Sequence, residues 1–99
     1  MPSYIMLTRL THEGTKTLAQ HPDRVRTVNA ELEDFDCRLV AQYATLGQYD
    51  FVNIVEAPDN ETIAVLSAAL QSRGSLTMVT LPIINVGDLL GHLKAKNLG

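Results

Sequence analysis

The tetrapeptide Gly47-Gln48-Tyr49-Asp50 lies between two runs rich in strand-forming residues, Arg38–Leu46 and Phe51–Glu56. A glycine at the first centre of a two-residue connection suits a type II′ hairpin, because it takes a positive φ without steric cost. The spacing therefore predicts two antiparallel neighbours in the middle of the chain, and every other element has to be arranged around that pair. The turn also sets a phenol and a carboxylate beside one end of the sheet.

The elements on either side follow from periodicity. Tyr4–Leu10 is a first strand of aromatic and aliphatic residues. Thr11 is placed to cap a helix, and Leu18, Val25, Val28, Leu32 and Phe35 form one stripe at spacings of three, four and seven. Pro22 interrupts that stripe, since proline lacks the backbone donor and clashes with the preceding turn. The helical stretch should kink or break at His21-Pro22. Cys37–Leu46 is the second strand and Phe51–Glu56 the third. Asp59 is the expected N-cap of a second helix with Ile63, Leu66 and Leu70 on its buried side, and Gly74 its expected C′ stop. Leu76–Leu81 is a fourth strand, ended by Pro82. Val86, Leu89, Leu90 and Leu93 then trace a short amphipathic segment before a basic, frayed end at Lys94–Gly99.

The order βαββαβ is the ferredoxin-like plan, an α+β fold with four antiparallel strands and helices on one face. A chain of 99 residues makes one such domain, expected over residues 1–84, with 85–99 as a tail. The helices can cover one face of the sheet only. Yet alternation gives mostly apolar residues to both sides of each strand: Ile5 and Leu7 oppose Tyr4, Met6, Thr8 and Leu10 on the first, and Val52 and Ile54 oppose Phe51, Asn53 and Val55 on the third. On the second strand, Val40, Gln42, Ala44 and Leu46 share one side, and Leu39, Ala41, Tyr43 and Thr45 the other. An uncovered apolar face is rare on a monomer. It predicts self-association, most simply as a two-fold dimer with the tail available to cross onto the partner, the alternative being a monomer whose open face is capped by its own tail.

Composition narrows the partners. The net charge is −3 with acids and bases interspersed, which argues against nucleic acid and against an anionic membrane surface. Cys37 is the only cysteine, so no internal disulfide can form. With no signal-peptide pattern or membrane-length apolar run at hand, the expected location is the cytoplasm.

Few residues point to chemistry. Tyr49 and Asp50 read as a hydrogen-bonding pair at a pocket rim, or simply as turn residues. Tyr43 and Asn53 lie on strands that should pair. On a common side they would bring a phenol and an amide into an apolar cavity, the pattern of small-molecule sites. The other reading is a packed tyrosine and a backbone-bonded asparagine. His12 stands where the first strand ends, either beside a cavity or in solvent. His12, His21 and His92 have no ligand spacing, and no metal is expected. Cys37 reads as an inert thiol. Arg9 and Arg73 are candidates for an anion or for surface ion pairs. Phosphate-loop, dinucleotide, nucleophile-elbow and CxxC motifs do not occur in the chain, and no cofactor is expected.

Several blocks together resemble a known family. Tyr4-Ile5-Met6-Leu7-Thr8 is followed by Thr11-x-x-Gly14, and Gln42-Tyr43-Ala44-x-x-Gly47-Gln48-Tyr49-Asp50 comes next. Ala57-Pro58-Asp59-Asn60 and Ser72-Arg73-Gly74 complete the set. This is similar to the bacterial GYD-domain proteins, whose namesake turn here is Gly47, Tyr49 and Asp50. The resemblance spans roughly residues 3–85. It implies a dimeric α/β barrel in which two ferredoxin-like sheets pack face to face, and it carries no established catalytic residue with it. Fold alone does not fix function. Three readings stay open: a small-molecule-binding or regulatory dimeric module with Tyr43, Tyr49, Asp50, Asn53 and His12 as ligand contacts; a cofactor-independent monooxygenase or isomerase with Asp50 or His12 as base; and a structural or assembly protein whose seam is filled by Leu39, Ala41, Phe51 and Val55.

Overall fold

The computed structural model describes residues 1–99. Strand β1 (Ser3–Leu10) is followed by helices α1 (His12–Gln20) and α2 (Arg24–Glu31), the latter continuing as a 3-10 turn at Leu32–Phe35. Strands β2 (Arg38–Ala44) and β3 (Phe51–Glu56), helix α3 (Asn60–Gln71), strand β4 (Leu76–Ile83) and helix α4 (Val86–Lys96) complete the chain. The four strands form one antiparallel sheet in the order β2-β3-β1-β4. This is the ferredoxin-like α+β arrangement.

Local chemistry sets the boundaries. Thr11 Oγ1 accepts from the Gly14 amide at 3.1 Å and donates to the Gly74 carbonyl at 2.8 Å, so it caps α1 and ties it to the turn before β4. The helix breaks at His21-Pro22 as proline requires. Asp59 caps α3 through the Thr62 amide at 2.8 Å. Ser72 is the C-cap of that helix, which puts Gly74, with φ of +78°, one residue beyond the expected C′ position. No helix is long and apolar enough to cross a membrane.

The core lies between the sheet and the helices. Tyr4, Met6 and Val55 meet Leu32, Ile63, Leu66 and Leu70 there, and Cys37 is buried with them. The Tyr4 hydroxyl donates to Asn60 Oδ1 at 2.6 Å, anchoring the start of α3. Burial, with the nearby Asp59 and Glu61 charges adding to it, raises the Tyr4 pKa above the ordinary phenol value. Gly14 permits the close approach of α1 to the β4 entrance, because a Cβ there would stand 1.8 Å from the Ser75 carbonyl oxygen.

Five sequence expectations are corrected. The Gly47 connection is not a two-residue turn. Gly47 does take a positive φ of +104°, but the chain leaves β2 after Ala44 and rejoins at Phe51. The reason is Asp50, whose backbone is shared between Thr45 and β1 (below). The second strand therefore ends two residues short of Leu46. Pro82 does not end β4. It pairs with Tyr4, tolerated because β4 is an edge strand. The tail is not frayed from Lys94, since α4 runs to Lys96 with Asn85 Oδ1 accepting from the Gly87 amide at 2.7 Å. Last, an irregularity between Leu39 and Ala41 shifts the register of β2 on β3. A bulge of this kind flips side-chain parity. Leu39 packs with the core, whereas Ala41 and Tyr43 lie opposite Ile54 and Val52 on the other face. The seam filling named from sequence is corrected with it: Leu39, Phe51 and Val55 belong to the helix side, Ala41 to the open side.

The open face carries Ile5, Leu7, Val52 and Ile54 in its centre, with Tyr43, Val79 and Leu81 exposed around them. Helix α4 does not cover it. All eleven residues of α4 are exposed, including Val86, Leu89, Leu90 and Leu93.

Candidate functional site: a cleft between sheet and helices

Helix α2 buries none of its residues. It stands off the sheet, and the space beneath it is a cleft of about 520 Å³. That size falls in the range of small-molecule sites. Met6, Thr8, Phe51, Asn53 and Met78 form its sheet wall. Leu18, Val25 and Val28 line it from the helix side, and Leu66 and Leu70 from α3. A reciprocal amide pair latches α2 to the β2 edge: Asn29 Nδ2 donates to Gln42 Oε1 at 2.8 Å, and Gln42 Nε2 donates to Asn29 Oδ1 at 3.1 Å.

Charge is confined to the mouth. Glu13, Arg24 and Arg73 line the cleft and are exposed. Arg73 forms an ion pair with Glu31, tying the end of α3 to α2. Its guanidinium is thus committed to a neighbour, one of the two outcomes the sequence left open. Arg38 pairs likewise with Glu56 at 3.3 Å.

Two polar atoms in the sheet wall have no partner. Thr8 Oγ1 and Asn53 Oδ1 are buried, and neither makes a hydrogen bond. Asn53 lies opposite Met6 and Thr8 opposite Phe51, so the two residues are diagonal neighbours on adjacent strands. Native interiors contain few such atoms, and each calls for an explanation.

The sequence candidates do not gather in one place. Asn53 lines the cleft; Tyr43, Tyr49, Asp50 and His12 do not. Tyr43 is 62 % exposed on the open face of the sheet, so it and Asn53 point to opposite sides. His12 is an exposed first residue of α1. Tyr49 is half-buried, its carbonyl accepting from Thr45 Oγ1 at 2.6 Å. Asp50 is bonded on three sides. Its amide donates to the Thr8 carbonyl, its carbonyl accepts from the Thr45 amide, and its Oδ2 accepts from the Leu10 amide, each at 2.8 Å. The carboxylate thereby replaces the ladder partner that β3 is too short to offer Leu10. Asp50 welds the β2–β3 connection to the end of β1.

Sequence reasoning missed Thr8 and the Asn29–Gln42 pair. Thr8 had a signal: it is the one hydroxyl in the Met6-Thr8-Leu10 stretch of that face, just as Asn53 is the one amide between Phe51 and Val55. The amide pair had none, since it joins residues 13 apart across a break in helical periodicity. No three His, Cys, Asp or Glu side chains come together as a metal site would need. Cys37 is buried, which pushes its thiol pKa up, with Asp36 contributing.

No solved structure matches the chain. A curated protein of Thermus thermophilus, the glutamine synthetase and cystathionine beta-lyase binding protein, is 53% identical over 95 residues, covering 95% of this chain and 100% of that one. The GYD domain model matches residues 4–91. The family resemblance of the short sequence blocks thus extends over nearly the entire fold, and the chain belongs to the GYD domain family.

Proposed function

We propose that this chain is a non-catalytic binding module that self-associates, engages metabolic enzymes through its outer surface, and holds a small molecule between its sheet and helices. Glutamine synthetase and cystathionine beta-lyase are the protein partners its Thermus relative suggests. The observation that carries the reading is the extent of the match to that relative: 53% identity over 95 residues, spanning 95% of this chain and all of the other. The two proteins thus share one domain, with no additional segment to carry the binding.

Self-association draws support from two uncovered apolar elements of the same chain. The open sheet face presents Ile5, Leu7, Val52 and Ile54, and α4 presents Val86, Leu89, Leu90 and Leu93 at helical spacing. Sheet-to-sheet packing of two protomers, with each tail laid on the other, would bury both. A catalytic reading has less support, because neither Asp50 nor His12 lines the cleft and Asp50 is held by the Leu10 amide.

Two measurements test the reading. Light scattering coupled to size exclusion should give a dimer or a larger even-numbered assembly, and Leu81→Lys, at a position 45 % exposed in the single chain, should return it to monomer. Biolayer interferometry against glutamine synthetase and cystathionine beta-lyase purified from the same cells should give saturable binding to at least one. A folded protein that binds neither enzyme would remove the protein-partner half of the proposal.

A further inference from the structure

We infer that the cleft takes an uncharged, largely apolar small molecule carrying one hydrogen-bond donor, and that Thr8 and Asn53 read that donor. This rests on the small-molecule half of the reading above and is independent of the protein partners.

The walls decide the body of the ligand. Twelve of the 23 lining residues are hydrophobic, and those on the sheet wall include Met6, Phe51 and Met78. Such walls reward an apolar ring or chain and offer it few competing contacts. The unpartnered atoms decide the head. Asn53 Oδ1 can only accept a hydrogen bond, so its complement must donate one. The Thr8 hydroxyl, on a residue 4 % exposed, can accept from the same donor or give its own proton to the ligand's oxygen or nitrogen. The distribution of charge decides the rest. Glu13, Arg24 and Arg73 are exposed at the mouth, and the sheet wall carries no ionisable group that lines the cleft. A charged head pressed against Thr8 and Asn53 would lose its hydration with no charged group on that wall to offset the loss. A neutral hydroxyl, amide or ring N–H meets no such penalty.

The methionines make the test direct. Of the three in the chain, Met6 and Met78 line the cleft, while Met1 is 65 % exposed at the terminus. Protein labelled with ¹³C at the methionine methyls is titrated with three probes of common shape: 4-ethylphenol, 4-ethylanisole and 4-ethylbenzoate. The phenol should shift Met6 and Met78 and leave Met1 in place. It should bind about tenfold more tightly than the anisole, which lacks the donor, with a comparable margin over the benzoate. In the double variant Thr8→Val, Asn53→Leu the phenol and the anisole should bind within about twofold of each other, because both reading atoms are gone.

The outcomes separate the two levels of the claim. Equal affinity for phenol and anisole in the unaltered protein, or a preference for the benzoate, overturns the ligand class while leaving a pocket in place. A bound water bridging Thr8 and Asn53 without ligand discrimination would give that first result. Shifts at Met1 alone, or none with any probe at millimolar concentration, remove the pocket itself and the small-molecule half of the proposed function with it.

Discussion

Replacing Gly14 by alanine tests the packing of α1 against the sheet more sharply than any other single change. The substitution should help the helix, since alanine is favoured over glycine inside one by up to about 1 kcal/mol. The structure sets a larger cost against that gain. An added Cβ would stand 1.8 Å from the Ser75 carbonyl oxygen and 2.9 Å from its carbon, both backbone atoms that cannot rotate away. Relief requires α1 and the start of β4 to part by well over an ångström. The same Ser75 oxygen accepts the Thr11 amide at 3.0 Å, and Thr11 Oγ1 donates to Gly74 at 2.8 Å, so the movement strains both stitches as well. Overpacking costs about 1–3 kcal/mol and a disrupted hydrogen bond about 1 kcal/mol. After the helix gain is subtracted, a net loss of about 1–3 kcal/mol remains, or roughly 4–24 °C in Tm for a chain of this length. Urea unfolding followed by far-UV circular dichroism, at one fixed protein concentration, should show a lower midpoint with an unchanged slope. Gly91→Ala is the control. Nothing lies within 4 Å of a Cβ there, so α4 should gain helicity and the midpoint should not fall. A Gly14→Ala protein as stable as the parent would refute the close-contact account of this glycine.

Four further outcomes are expected. Asp50→Ala should lower stability by about 1.5–3 kcal/mol in the same urea assay, since the Leu10 amide loses a charged acceptor at 2.8 Å, while Asp50→Asn, which keeps an acceptor, should lose less. Thr8→Val should raise stability by about 1 kcal/mol, because it removes a buried, unpartnered hydroxyl from the free protein at nearly constant volume; calorimetry showing a loss would mean that the hydroxyl is satisfied. Hydrogen bonds from the Thr62 side chain and amide hold the Asp59 carboxyl below its ordinary value. Its contribution is thus present above the unfolded-state pKa and lost as pH falls through the depressed one, so the acid decline in Tm should be shallower in Asp59→Ala. Burial keeps Cys37 protonated above its usual range, so a disulfide reagent at pH 8 should label it only as fast as the protein opens.

The sequence disclosed what depends on neighbours along the chain. Strand alternation placed Ile5 and Leu7 opposite Tyr4 and Met6, Pro22 marked the helix break, and Thr11 and Asp59 announced their caps. It concealed what depends on partners across the sheet. The bulge between Leu39 and Ala41 carries no glycine or proline to signal it, yet it turns Tyr43 away from Asn53 and divides one candidate site into two faces. Pro82 looked like a stop because the edge position of β4 is a property of strand order, which periodicity does not encode. The Gly47 turn looked minimal because the bond from Leu10 to Asp50 spans 40 residues. The candidate cleft was legible only in part: Asn53 was visible as an odd amide in a strand, whereas the space beside it exists because α2 buries no side chain.

The third strand reads Val52, Asn53, Ile54, and these three consecutive residues face out, in and out. A gene for such a strand stores two independent descriptions in interleaved codons. Every second codon answers to the cleft side of the sheet, and the codons between answer to its open side. A point mutation at Val52 or Ile54 can retune the outer surface without touching the inner one, and a mutation at Asn53 can do the reverse. A lineage built on this sheet is therefore free to change one of its faces while keeping the other.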